Sequence, residues 1–107
     1  MSEITLQGSK INTISQLPKV GDQAPDFVLT KTDLSDLTLA DLKGSKVILN
    51  IFPSVDTGVC AATVRKFNEH AASVKDTKIL CVSLDLPFAH QRFCGAEGIE
   101  GVVSVSE

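Results

Sequence analysis

Two continuous apolar runs dominate the chain, Val47-Ile48-Leu49-Asn50-Ile51-Phe52 and Ile79-Leu80-Cys81-Val82 within the stretch Lys78–Leu84. Runs of this length, bounded by turn residues, predict strands buried on both faces. Between them the apolar period lengthens. Val59, Ala62, Thr63, Phe67, Ala71 and Val74 fall on one helical face, and Arg65, Lys66, Glu69 and Ser73 fall mostly on the other. This spacing predicts a helix from Val59 to about Val74, with Lys75-Asp76-Thr77 as the turn out of it. Two buried strands joined by one helix make a βαβ unit, which is parallel.

The flanking segments are shorter and more polar. Ile4–Gln7 and Lys10–Ile14 alternate around Gly8-Ser9 and predict a β-hairpin. Leu17–Gly21 is a connector punctuated by Pro18 and Gly21. Ala24–Thr30 predicts a short strand entered through Pro25, and Thr32–Asp36 a polar turn. Thr38–Gly44 predicts one helical turn, capped by Thr38 and ended by Gly44. Beyond the second run, Asp85-Leu86-Pro87 closes the strand. Phe88–Cys94 predicts a short helix weakened by Gly95 and Gly98, and Val102–Val105 a final strand. The whole predicts a single α/β domain over residues 1–107. A parallel sheet needs cover on both faces, and one long helix, one short helix and a hairpin supply little. The chain is therefore expected to be the N-terminal part of a larger domain, the alternative being a small complete one.

Charge narrows the functional classes. Ten Lys and Arg against thirteen Asp and Glu give a net charge of −3 with no basic block, which argues against nucleic acid or anionic membrane as a partner. No apolar run is long enough to cross a bilayer. MSEITLQGSK lacks the basic start and apolar centre of a signal peptide, so the expected location is cytoplasmic. Three widely spaced cysteines do not make a secreted disulfide framework.

The chemistry concentrates on those cysteines. Pro53 stops the first apolar run, a loop of Ser, Asp, Thr and Gly follows, and Cys60 falls in or near the first turn of the predicted helix. Free backbone N–H groups and the positive end of the helix dipole converge there and favour the thiolate, the reactive form of cysteine. The alternative is a buried structural thiol. Thr57, three residues earlier, suits either a helix cap or a hydrogen bond to the sulfur, and Asp56 is expected to point away from it. Cys94 lies on the weak short helix. It reads either as a second thiol able to move at low cost or as a half-exposed cysteine of no consequence. Cys81, flanked by Leu80 and Val82, reads as core. His70 and His90 are expected on solvated surfaces, Arg65 and Arg92 as solvated charges, and Phe88 and Phe93 in the core. The cysteines and histidines show no CxxC or HxxxH spacing, and no GxGxxG, GxxxxGK[ST] or HExxH pattern occurs, so neither a metal nor a cofactor is expected.

Pro53-Ser54-Val55-Asp56-Thr57-Gly58-Val59-Cys60 fits the peroxiredoxin pattern PxxxTxxC. NIFPSVDTGVCAATVRKFN, followed by DLPFAHQRFCGAEGI, closely resembles the bacterial thiol peroxidases, which are atypical two-cysteine peroxiredoxins. The resemblance covers essentially the whole chain and implies a thioredoxin-like (peroxiredoxin) α/β fold with an N-terminal β-hairpin, incomplete at the C-terminus. It implies that Cys60 is the peroxidatic cysteine and Cys94 the resolving one. Thr57 would bond Cys60 and the peroxide, Pro53 would shield the pocket, and Cys81 would not be needed for turnover. It further implies reduction of hydrogen peroxide and alkyl hydroperoxides through a Cys60 sulfenic acid and a Cys60–Cys94 disulfide, recycling by thioredoxin, and a homodimer. One departure stands out. The family completes its site with an arginine from a later strand, and neither Arg65 nor Arg92 matches it. A redox sensor or an inactive fragment is the alternative implied.

Overall fold

The computed structural model describes residues 2–71, 73–74 and 76–107. Its elements run β1 (Glu3–Leu6), β2 (Ser9–Asn12), β3 (Val28–Lys31), β4 (Asp36–Thr38), a 3-10 turn (Leu39–Leu42), β5 (Lys46–Ile51), α1 (Gly58–Ala71), β6 (Thr77–Ser83), α2 (Pro87–Glu97) and β7 (Val103–Ser106). β1 and β2 form a separate antiparallel hairpin. The other strands form one sheet in the order β4-β3-β7-β6-β5. β5, β6 and β7 are parallel, and β3 runs antiparallel to both β7 and β4. The expected βαβ unit is therefore present as β5-α1-β6, with Ile48 opposite Ile79 and Ile51 opposite Val82.

β6 lies inside the sheet between β7 and β5 and is buried over most of its length, and its side chains divide with a period of two. Ile79 and Cys81 join Phe52, Val55, Ala61, Val64, Phe93, Ile99 and Val102 on the face covered by α1 and α2. Leu80 and Val82 join Leu29 of β3, Leu37 of β4, Val105 of β7 and Leu42 of the 3-10 turn in a second cluster. β5 corrects the sequence expectation. It lies at the sheet edge, and Ile48, Leu49 and Ile51 are exposed, so its apolar run is not buried on both faces. An apolar run signals a strand but not its rank in the sheet, which depends on which neighbours pair with it.

α1 differs in the same way. Its buried residues are Ala61 and Val64, whereas Val59 is 79% exposed and Phe67 only half-buried. Apolar and small residues surround the first two turns, so periodicity alone did not fix the rotation of the helix. Of the expected inward residues, Phe67 and Ala71 pack against the core cluster, whereas Val59, Ala62 and Thr63, with Lys66, His70 and one side of Phe67, line an open cavity of about 500 Å³. Val74 is exposed and lies past the helix end.

Smaller shifts have local causes. The hairpin turn is Gln7-Gly8 rather than Gly8-Ser9. Both turn residues have positive φ (50° and 84°), as the tight primed turns require, and Ser9 begins β2. The strand entered through Pro25 is regular only from Val28. β4 was not expected, since Asp36 looked like turn; it exists because Leu37 buries against Leu29, its ladder partner. Asp41 accepts hydrogen bonds from the Thr38 N–H (3.0 Å) and hydroxyl (3.1 Å), so Thr38 opens the expected helical turn. α2 outlasts Gly95 and stops at Gly98, whose φ of 66° is the left-handed cap conformation. The Gly101 N–H reaches the Asn68 side chain at 2.6 Å and anchors the following loop to α1. Among the described residues, no helix is long and apolar enough to cross a membrane.

Candidate active site around Cys60 and Cys94

The loop from Phe52 to Thr57 leads from the C-terminal end of β5 into α1. Phe52 and Val55 turn into the core and fix the loop at two points, leaving Pro53, Asp56 and Thr57 exposed. Cys60 is the third residue of α1, as the sequence implied, and is half-buried. The first-turn N–H groups of a helix have no intrahelical acceptors, and a thiol there sits among donors. Cys94 lies on α2, also half-buried, and packs against the same core cluster as Cys60. Its sulfur is 3.2 Å from the Ser104 hydroxyl on β7, and it lines a cavity of about 480 Å³ beside Gln91, Ile99 and Val103. All three cysteines are free thiols.

Cys81 is fully buried on β6 and close to Cys94. Burial pushes its thiol above the ordinary value, opposed by a contact from the Asn50 amide at 3.7 Å. The expectation that Cys81 belongs to the core holds. Asn50 interrupts the apolar run of β5 because its amide also donates to the Thr63 hydroxyl on α1 (3.4 Å).

Thr57 bonds neither the sulfur nor the helix N–H groups through its side chain. Its hydroxyl donates to the Ser54 carbonyl (3.0 Å), and its own carbonyl accepts the Ala61 N–H (3.0 Å) that starts the helix. With its proton committed to Ser54, the hydroxyl presents lone pairs outward. Asp56 points away as expected, to Arg92 on α2 at 3.1 Å. Arg65 is not simply solvated: it pairs with Glu97 at 2.7 Å and lies over the Phe93 ring, 5.7 Å from its centroid. Of the two phenylalanines expected in the core, Phe93 is buried and Phe88 is 62% exposed.

His90 is the plainest correction. Expected at the surface, it is fully buried on α2, edge-on to Phe52. Its Nε2 meets the Ser83 hydroxyl at 2.9 Å, and Ser83 in turn donates to Asp85 at 2.6 Å. Since the hydroxyl proton goes to Asp85, Nε2 carries the imidazole proton and Nδ1 is the bare nitrogen, in keeping with the absence of a partner at Nδ1. Burial lowers the His90 pKa below its ordinary value, opposed by the charge of Asp85. His70 is exposed, as expected. Sequence reasoning missed Ser54, Ser83 and Asp85 altogether. The available signal was a polar Ser-Leu-Asp ending an apolar strand just before Pro87, a composition suited to a hydrogen-bonded corner.

Comparisons with known proteins bear on the family and the fold. The Redoxin family model matches residues 19–107. Over 99% of its length the chain is 55% identical to the thiol peroxidase of Corynebacterium glutamicum, and it is 56% identical to that of Mycobacterium bovis. It spans 64% of the length of each of these curated relatives. The crystal structure of a peroxiredoxin-like protein from Aquifex aeolicus superposes with a TM-score of 0.88 at 35% identity, covering 97% of this chain and 61% of that one. The fold is thus the thioredoxin-like one of the peroxiredoxins, and with thiol peroxidases as relatives the chain belongs to the Redoxin family.

Proposed function

We propose that this chain carries the peroxide-reducing centre of a thiol peroxidase, with Cys60 as the peroxidatic and Cys94 as the resolving cysteine. The observation that carries the reading is the pairing of Cys60 in the first turn of α1 with Cys94 on α2, both half-buried against one core cluster. The Cys60 thiolate attacks one oxygen of hydrogen peroxide or an alkyl hydroperoxide. An S–O bond forms as the O–O bond breaks, the sulfur is oxidised to a sulfenic acid, and the departing hydroxide or alkoxide takes a proton. The Cys94 thiolate then attacks the Cys60 sulfur. The disulfide forms, and the oxygen leaves as hydroxide and is protonated to water. A dithiol reductase of the thioredoxin class returns two electrons by thiol–disulfide exchange. Thr57 offers its lone pairs to the peroxide O–H, and Pro53 covers the approach to the sulfur. A cytoplasmic homodimer belongs to this reading.

The test is peroxide consumption at catalytic protein concentration with thioredoxin, thioredoxin reductase and NADPH. Turnover that disappears in Cys60→Ser is the expected result, and consumption equal to that of Cys60→Ser defeats the reading.

A further inference from the structure

The corner after β6 holds a carboxylate with more partners than a turn requires. One Asp85 oxygen accepts the Ser54 hydroxyl (2.8 Å). The other accepts the Val55 N–H (2.9 Å) and the Ser83 hydroxyl (2.6 Å). Ser83 also accepts the Asp85 N–H (3.1 Å) and meets His90 Nε2 (2.9 Å). Ser54 passes the constraint on: its hydroxyl accepts the Asp56 N–H (3.0 Å), and its carbonyl accepts both the N–H (3.2 Å) and the hydroxyl (3.0 Å) of Thr57. An unbroken chain of hydrogen bonds therefore runs from α2, through His90, Ser83, Asp85 and Ser54, to the residue that precedes α1.

We propose that Asp85 is a positioning residue for the Cys60 centre, holding the 53–57 loop in register with α1 and coupling it through Ser83 and His90 to the helix that carries Cys94. This rests on the peroxidase reading above. Asp85 does not touch Cys60; it acts by fixing Ser54 and Val55, and hence where the Thr57 hydroxyl points. The carboxylate remains ionised. Burial works against its charge, but the Ser83 hydroxyl, the Val55 N–H and the Ser54 hydroxyl outweigh it and hold the group below the usual carboxylate range. Asparagine in its place presents N–H donors on one side, where only donors approach, so at least one link to the loop breaks. Orienting a peroxide depends on the loop, whereas alkylating the thiol does not. Loss of Asp85 therefore lowers the first reaction more than the second.

The test is the ratio of two rate constants at Cys60, oxidation by hydrogen peroxide over alkylation by iodoacetamide, in the wild-type chain and in Asp85→Asn. A drop in the ratio of tenfold or more, with far-UV circular dichroism unchanged, is the expected result. A merely structural Asp85 would shift both rates together and leave the ratio alone. If Asp85→Asn does not fold, Ser54→Ala carries the test, since it removes one link at the half-buried loop, and a threefold drop is then expected. A wild-type ratio no higher than that of a small free thiol overturns the peroxidase reading and this proposal with it. A high wild-type ratio left unchanged by the substitution overturns the proposal alone.

Discussion

The Cys94 sulfur lies 3.2 Å from the Ser104 hydroxyl, so the second thiol is docked on β7 and bonded to no cysteine. Two ion pairs hold its helix in that seat, Arg65–Glu97 from α1 and Arg92–Asp56 from the loop before it. Such exposed pairs contribute little, so beyond the buried His90 and Phe93 the end of α2 that carries Cys94 is lightly held.

Movement of α2 follows from that seat. A disulfide needs Cα atoms within about 7 Å. Cys60 is held between the anchored loop and a packed helix, so the movement that joins the two thiols is expected on the Cys94 side, and the end of α2 at Gly95 and Gly98 is where unwinding costs least. Hydrogen exchange should show lost protection across residues 88–98 in the disulfide form only, with α1 beyond Phe67 unchanged. Equal protection of α2 in both redox states would contradict this.

Thr57→Val keeps the shape and removes the hydroxyl. The hydrogen bond to the Ser54 carbonyl disappears, along with the lone pairs offered to a peroxide. Stopped-flow measurement of the peroxide step should show slowing of about fivefold or more, the kinetic equivalent of about 1 kcal/mol. An unchanged rate would leave Thr57 with no role beyond starting the helix.

His90 gives the fold a pH dependence. Its folded-state pKa is lowered, by burial first, from an ordinary value of 6.5, so the unfolded chain takes up a proton at a pH where the folded one does not. Stability is therefore complete above about 6.5 and falls as the pH drops below it. Urea denaturation at pH 7.5 and 5.5 should show lower stability at 5.5, and the difference should vanish in His90→Gln. The sequence holds only one other histidine, His70, which is exposed. Equal stability at the two pH values would contradict the buried neutral imidazole.

The two apolar runs should respond differently to truncation. Leu80 is fully buried on β6, whereas Leu49 on β5 is 44% exposed. Leu80→Ala should cost about 3 kcal/mol, and Leu49→Ala no more than about 1 kcal/mol, in urea denaturation. Similar costs at the two positions would mean that β5 is not an edge strand.

Those two leucines mark how far the sequence could be read. Both runs announced strands, and the helix between them made the strands parallel, because period and length are local properties. That β6 lies inside the sheet and β5 at its edge is a property of pairing, which apolar content does not encode. The position of Cys60 was legible for the same local reason: Pro53 stops a strand, and a helical period begins at once. The surroundings of His90 were not. An imidazole reads as polar until a hydroxyl seven residues away, on a different element, accepts its proton. Asp85 was hidden similarly. Its partners Ser54 and Val55 lie thirty-one and thirty residues earlier, and only the return of β6 beside β5 brings them together.

The most direct measurement is intact mass with peptide mapping after one equivalent of hydrogen peroxide, in the wild-type chain and in the Cys60→Ser, Cys81→Ser and Cys94→Ser variants. The expected wild-type product has lost two hydrogen atoms and carries a Cys60–Cys94 linked peptide. Cys81→Ser should give the same product, Cys94→Ser should stop at one added oxygen on Cys60, and Cys60→Ser should stay unmodified. Rapid oxidation that persists in Cys60→Ser, or a bridge through Cys81, would contradict the assignment of the two thiols.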